Sequence, residues 1–247
     1  MDGLTSASFT LYGPSHVLAL IVVLAAIVGL LRELRQHDPE RLAPRLRPWL
    51  TALLLFQLLA WRGWILLYGE FDLGNDLPLQ LCSLSLMLLV VYLWRPSQRL
   101  FDVLFHWVLG GSTLAILMPN LAFDFPHPRF LSMFLGHGSE LFVIGYLAAV
   151  LGHRPSAQGV RRALAAMAAY AVLVATPLNL ALGANYLYLM EVPKVDSALL
   201  DLLPPWPWYP LVLLAFFFLL FQAIHHVALS AQPTEGRSLQ DVRGQHG

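Results

Sequence analysis

The chain has 247 residues, of which 57% are hydrophobic and 12% are charged. A soluble domain usually carries about 25% charged residues, so this composition excludes a water-soluble globule, a coiled coil and a disordered chain. The formal net charge of +0 excludes a strongly basic nucleic-acid binder, and a single cysteine excludes an internal disulfide. A polytopic membrane protein remains.

Apolar blocks of membrane-spanning length recur along the chain. A helix that crosses a bilayer needs about 20 predominantly apolar residues, and seven blocks near that length occur at residues 15–31, 48–68, 77–93, 101–118, 131–151, 161–180 and 207–229. The charged, proline-containing stretch at 32–48 separates the first two and predicts a solvated loop. We therefore predict an all-α membrane protein with one seven-helix transmembrane domain over 1–229, followed by a disordered tail over 230–247.

The distribution of positive charge predicts the orientation. Lys and Arg are retained on the cytoplasmic side of a membrane. When the loops are assigned alternately to the two sides, 12 of the 15 Lys and Arg residues fall on one side. Those twelve are Arg32, Arg35, Arg41, Arg45, Arg47, Arg95, Arg99, Arg154, Arg161, Arg162, Arg237 and Arg243. We expect the N-terminus outside and the C-terminus in the cytoplasm. The high content of Arg relative to Lys in the chain suggests a bacterial protein, and we expect it to lie in the inner membrane.

Polar residues gather near the predicted outer ends of the spans. Such residues are costly in a membrane, and each is a functional hypothesis by default. With a rise of about 1.5 Å per residue, they lie within about 10 Å of one plane. They are His16, Arg62, Cys82, His137, Glu140, Asn185 and Tyr186. His137 and Glu140 are three residues apart and share a helix face, and Arg62 at matching depth is the expected charge partner of Glu140.

Three functions are compatible with this polar layer. Cys82 could act as a nucleophile with His137 as its base, and a lipid ester at that depth is the leading substrate. His16, His137 and Glu140 could instead bind a metal, although the sequence lacks the paired repeat of di-iron bundles. The polar groups could also line a translocation path. The structural alternatives are a cysteine that only packs and a His–Glu pair that only joins helices.

Three stretches of sequence resemble a known family. They are LPLQLCSLSLML (77–88), FLGHGSELF (134–142) and NYLYLMEVPKVDSALLDLLPPWPWY (185–209), together with YGPSH near the start. In these motifs the chain resembles the bacterial YwaF-type integral membrane proteins, which are similar to the eukaryotic transmembrane protein 164 group. The resemblance spans most of residues 9–228. One departure is Gln80, where bacterial members usually have histidine.

The resemblance implies acyl transfer between phospholipids through a cysteine and a histidine. By position these are Cys82 and His137, and the family's other marked residues fall on His16, Asn185 and Tyr186. We therefore expect a phospholipid acyltransferase whose substrate is membrane phospholipid. We expect no cofactor, no metal and no binding of nucleic acid. The alternative is a non-enzymatic transporter or assembly factor with an outward-facing polar pocket.

Overall fold

The computed structural model describes residues 8–69, 71–74, 76–192 and 198–230, and within them the chain is helical. The helices in chain order are α1 (Pro14–Leu34), α2 (Pro39–Tyr68), α3 (Leu81–Trp94), α4 (Gln98–Leu117), α5 (Pro128–Ala149), α6 (Gly159–Leu182), α7 (Ala198–Asp201) and α8 (Tyr209–Ser230). A 3-10 turn at Tyr186–Tyr188 follows α6. Apart from Ser230, which ends α8, the tail predicted over 230–247 lies outside the described residues.

Six of the described helices, all except α3 and α7, are long and apolar enough to cross a membrane. This confirms a multi-pass membrane protein. The third predicted span corresponds to α3, which has only 14 residues. At about 1.5 Å per residue, α3 is about 21 Å long, which is less than the roughly 30 Å of a bilayer core. Seven spans, and the orientation of the termini, therefore stay predictions.

The loop predicted over 32–48 is wrong for most of its length. The helix α1 continues to Leu34, and α2 begins at Pro39. Proline is well tolerated at the first helical position, and the Asp38 side chain caps the helix by accepting a 3.0 Å hydrogen bond from the Glu40 amide. These start signals outweigh the prolines that follow inside α2 at 44 and 48.

Helices α4 and α5 form the interior of the bundle. The helix α5 packs against α1, α2, α3 and α4, whereas α4 packs against α3, α5, α6 and α8. The main apolar core lies between these helices and includes Leu54, Leu89, Leu104, Val143 and Ile144, all completely buried. Helices α1 and α8 present most of their apolar side chains outward, as expected for helices that face lipid.

Both α4 and α6 contain a π-helical turn, at Val108–Ser112 and Ala171–Ala175 respectively. A π turn holds one more residue than an α turn and is frequently found at functional sites. In α4 this turn contains Gly110, where a Cβ atom would lie only 2.8 Å from the Phe221 ring. A glycine is therefore required for α8 to pack closely against α4.

A buried ion pair joins α4 to α6 at the end of the bundle that we predict to be cytoplasmic. Asp102 is fully buried and lies 2.6 Å from the Arg162 guanidinium. Its carboxylate also accepts hydrogen bonds from the amide and the hydroxyl of Ser156 and from the Gln98 side chain. The full set of donors offsets the cost of burying this charge.

Candidate active site

Glu140 is buried at the junction of α5 and α4. It is 1% exposed, and its carboxylate accepts a hydrogen bond from the Ser112 hydroxyl in the π turn of α4. Ser112 is equally buried, at 1% exposed. The sequence analysis did not identify Ser112, because a serine in an apolar span is common. The available signal was the run Gly110–Gly111–Ser112, where small residues interrupt the span.

Cys82 lies in the first turn of α3. It is the second residue of α3 and is half-buried. The start of α3 contacts the π turn, since a Cβ atom on Gly111 would lie 3.9 Å from the Leu81 side chain. The helix α3 also packs against α5, and Cys82 lies within range of the charge of Glu140. The expectation that Cys82 shares a polar layer with His137 and Glu140 stays a prediction.

His137 lies one turn before Glu140 on α5. Its Nδ1 is 2.8 Å from the Met133 carbonyl oxygen. Because a carbonyl only accepts hydrogen bonds, Nδ1 carries the proton and Nε2 is the basic nitrogen. A proton acceptor is therefore available on the ring atom that points away from its own helix backbone. The approach of this atom to the Cys82 sulfur stays a prediction.

Arg62 does not pair with Glu140, and the expectation of a charge pair between them is wrong. The guanidinium donates to the Leu58 carbonyl at 2.6 Å and to the Ser83 hydroxyl at 3.1 Å. It therefore links α2 to the first turn of α3, whereas Glu140 turns toward α4. The Arg62 Nε atom is buried and has no hydrogen-bond partner in the described part of the chain.

Arg129 is a second cation near Arg62. It lies in the first turn of α5, with its guanidinium 4.8 Å from the centroid of the Trp61 ring. Its charge acts on both Arg62 and His137. Across residues 8–69, 71–74, 76–192 and 198–230, neither arginine forms an ion pair with a carboxylate. Two like charges thus lie close together beside the histidine.

His16 forms structural contacts, and its prediction as a binding residue is untested. It is fully buried, and its Nδ1 accepts a hydrogen bond from the Tyr12 amide at 2.9 Å. The Nε2 atom must then donate to the Ile116 carbonyl, also at 2.9 Å. Both ring nitrogens are engaged, so neither can bind a metal or accept a proton. The residue ties the start of α1 to the end of α4.

Asn185 and Tyr186 also form structural contacts. Asn185 accepts hydrogen bonds from the Met190 and Glu191 amides and so closes its own loop. The Tyr186 hydroxyl donates to the Leu73 carbonyl at 2.6 Å and accepts from the Leu77 amide at 3.2 Å. Burial raises the pKa of this phenol, which keeps it a hydrogen-bond donor at neutral pH. Tyr186 thus holds the loop after α6 against the segment that leads into α3.

Gln80 contributes to the same arrangement, at the position where the resembling bacterial proteins usually have histidine. Its Oε1 atom accepts a 3.0 Å hydrogen bond from the Leu187 amide. A second contact comes from the Tyr170 hydroxyl, which donates to the Leu79 carbonyl at 2.8 Å. The backbone just before Cys82 is therefore fixed from two sides.

Two cavities occur away from these residues. One, of about 400 Å³, is lined by Tyr92, His153 and Arg154 among others. The other, of about 730 Å³, lies between α6 and α8. Cys82, His137 and Glu140 line neither of them. The described residues also contain no group of three or more His, Cys, Asp or Glu side chains that could hold a metal ion.

Comparison with known proteins identifies one family. The sequence model described as the TMEM164 family matches residues 11–224. No curated protein and no solved structure matches the chain. The matched range begins ahead of α1 and ends within α8, so it covers every helix that carries a candidate site residue.

Proposed function

The chain belongs to the TMEM164 family, and on this premise we propose that it is a phospholipid acyltransferase that acts through an acyl thioester on Cys82. The observation that carries the proposal is that three helices bearing polar side chains pack against one another. Cys82 starts α3, Ser112 lies in the π turn of α4, and Glu140 lies on α5 one turn after His137. Polar groups buried in a membrane are costly, and their presence therefore indicates a function.

The proposed first step is acyl transfer to the protein. His137 Nε2 takes the proton from the Cys82 thiol, and the thiolate attacks the ester carbonyl of a phospholipid. A C–S bond forms and the ester C–O bond breaks. The proton on His137 passes to the departing oxygen, which releases a lysophospholipid. The backbone N–H groups in the first turn of α3 stabilise negative charge on Cys82.

The second step returns the protein to its starting state. The hydroxyl of another lysophospholipid loses its proton to His137 Nε2 and attacks the thioester carbonyl. The new ester C–O bond forms as the C–S bond breaks, and the proton on His137 returns to the thiolate. Glu140, one turn away and held by Ser112, orients the α5 face that carries the histidine.

Arg62 and Arg129 are the proposed binding site for the lipid phosphate. Their like charges repel each other, and Asp76 offsets this only from beyond ion-pair distance, since neither arginine forms an ion pair with a carboxylate among the residues that the structure describes. An arginine binds phosphate through two parallel hydrogen bonds, and the buried Arg62 Nε atom is a donor that awaits a partner. A phosphate bound there would hold the acyl ester near His137, because the charge of Arg129 also acts on His137.

Thioester trapping tests the proposal. The purified full-length protein is incubated with a phospholipid that carries a labelled acyl chain, and protein-bound label released by hydroxylamine is measured. We expect label in the parent and none in Cys82→Ala or Cys82→Ser. Loss of a general base costs about 10²- to 10⁴-fold, so His137→Ala should label at least about 100-fold more slowly.

The control is His226→Ala, which removes an exposed histidine from α8 and should label like the parent. Arg62→Gln and Arg129→Gln should raise KM for the lipid by about tenfold, equivalent to one charge-assisted hydrogen bond, with a smaller change in kcat. Hydroxylamine-labile label that persists in Cys82→Ala would refute the mechanism. A folded parent protein that binds lipid without forming a thioester would favour the non-enzymatic alternative.

A further inference from the structure

The cavity between α6 and α8 has a polar end and an apolar body. Arg161, Gln222 and His225 lie at the end near the start of α6. From there the cavity continues along α8 as far as Leu211. The distance from residue 225 to residue 211 along a helix is about 21 Å at about 1.5 Å per residue. The cavity volume of about 730 Å³ lies within the usual range for ligand sites, about 300–1,000 Å³.

The polar end carries positive charge that has no partner within the protein. The neighbouring Arg162 is engaged with Asp102 and Gln158. Arg161 is exposed, and within the described ranges it has neither a hydrogen-bond partner nor an ion-pair partner. It also lies in the first turn of a 24-residue helix, where the helix dipole favours an anion. The charge at this end therefore suits an anionic ligand.

The same end contains an unsatisfied polar group. His225 is 9% exposed, and its buried Nδ1 atom has no hydrogen-bond partner in the part of the chain that the structure describes. Its ring stacks on His106 with a centroid distance of 5.4 Å. The start of α6 closes over both rings, since a Cβ atom on Gly159 would lie 2.8 Å from His106 and 3.5 Å from His225. The polar end is thus a fixed feature of the packing between α4, α6 and α8.

The body of the cavity suits an acyl chain. Its walls contain Ala165, Ala168 and Ala215, whose small side chains leave room between the two helices, and Leu214 and Phe218 supply apolar surface. In the residues described, this cavity contains no carboxylate that would repel an anion. An apolar cavity that ends at an arginine without an ion-pair partner in the described residues suits the acyl chain and the negative charge of one lipid molecule.

We propose that this cavity binds an anionic phospholipid, with the headgroup phosphate at Arg161 and Gln222 and one acyl chain between α6 and α8. The site is separate from Cys82 and does not depend on the proposed acyl transfer. The ligand belongs to the leaflet at the Arg161 end of the bundle, whereas Cys82 lies toward the other end of the spans. The proposal therefore assigns this lipid a binding role and no chemistry.

Competitive lipid retention tests the proposal. The full-length protein is purified in detergent, exposed to equimolar phosphatidylglycerol and phosphatidylcholine, and analysed by native mass spectrometry. We expect phosphatidylglycerol to be retained preferentially. A basic residue near an anionic lipid contributes on the order of fivefold in affinity, or about 1 kcal/mol. Arg161→Gln should therefore reduce retention about fivefold, and Ala215→Phe should reduce it by filling the acyl channel.

Two matched controls separate this site from general effects of charge and size. Arg99→Gln removes an exposed arginine from the same end of the bundle, and Ala223→Phe adds bulk to an exposed alanine on α8 that does not line the cavity. Both should retain lipid like the parent. Equal retention by Arg161→Gln and Arg99→Gln would overturn the proposal. Displacement of phosphatidylglycerol by the same concentration of soluble glycerol phosphate would also overturn it, because the acyl chain would then contribute nothing to binding. Thioester formation in the parent is measured separately, so failure here leaves the proposed function standing.

Discussion

The hydrogen bond between Ser112 and Glu140 allows a direct test of the candidate site, through the substitution Ser112→Ala. The carboxylate is 1% exposed, and within the described segments no cation pairs with it. Removing the hydroxyl would leave a buried acceptor without this donor, which costs about 1–3 kcal/mol. Hydrogen bonds between membrane helices average only about 0.6 kcal/mol with a maximum of about 1.7. The two ranges overlap at about 1–2 kcal/mol, which is the loss of stability that we expect.

Thermal unfolding in detergent measures this loss. For a chain of 150–250 residues, about 1 kcal/mol corresponds to about 2–4 °C in Tm, so Ser112→Ala should lower Tm by about 2–8 °C. The matched control is Ser139→Ala. Ser139 is also buried and adjoins Glu140, but its hydroxyl donates only to the Gly136 carbonyl of its own helix, at 2.8 Å. Loss of such a bond costs little.

A double-mutant cycle gives the sharper result. Glu140→Gln replaces the carboxyl acceptor of the Ser112 hydroxyl with an amide, so its effect and that of Ser112→Ala should not be additive. We expect an interaction energy of about 1 kcal/mol between them and about zero between Glu140→Gln and Ser139→Ala. If the two serine variants lowered Tm equally, the π turn would not support the carboxylate. The reason for placing Ser112 in the site would then be lost.

Three further outcomes concern packing, buried charge and pH. Gly110→Ala should lower stability by about 1–3 kcal/mol because its Cβ would lie 2.8 Å from the buried Phe221 ring, whereas Gly29→Ala, with nothing within 4 Å, should be neutral or slightly stabilising by thermal unfolding. Asp102→Asn should cost about 3 kcal/mol, at the low end for a broken buried pair because Arg162 keeps 29% exposure; a loss under about 1 kcal/mol, as for an exposed pair, would contradict this. His127 accepts a 3.1 Å hydrogen bond from the Arg129 amide, and burial and then the Arg129 charge lower its pKa. The unfolded chain therefore binds a proton first, and Tm should fall as the pH drops below about 6.5. His127→Asn, which keeps an acceptor, should weaken that dependence, and an unchanged slope would show that His127 does not cause it.

The membrane class and most of the helices were predictable from the sequence because lipid imposes a simple requirement. A span must be apolar for about 20 residues, and such blocks are visible without knowledge of packing. The start of α2 was not predicted, because a capping aspartate followed by proline is a local signal that a charged loop obscures. The short α3 was overestimated, because 77–80 is apolar yet leads into the helix as a turn.

The depth of the site residues was easier to predict than their partners. Residue counting along each span places Cys82 and Glu140 at one depth, and the packing of α3 against α5 is compatible with that prediction. The predicted partner of Arg62 was wrong because the depth of a residue does not specify its direction around the helix. The Arg62 side chain turns toward Ser83 on α3. Ser112 was missed for a related reason. A π turn changes the face on which later residues lie, and the small residues Gly110, Gly111 and Ser112 were the signal in the apolar span.

The shortness of α3 bears on how a lipid would reach Cys82. Trp94 at the end of α3 lies 5.6 Å from the Arg47 guanidinium, which is typical of an anchor at the membrane interface. Cys82 lies twelve residues earlier, or about 18 Å away at about 1.5 Å per residue. If Trp94 marks one interface, Cys82 lies about 12 Å inside the other edge of a core of about 30 Å. An ester carbonyl at that edge must therefore approach the sulfur. A bilayer thins locally around a short hydrophobic segment at modest cost, and Arg62, bonded to Ser83 next to Cys82, would bind a phosphate at that depth. The shortness of α3, which leaves the number of spans a prediction, would thus let a lipid ester reach Cys82 in the proposed reaction.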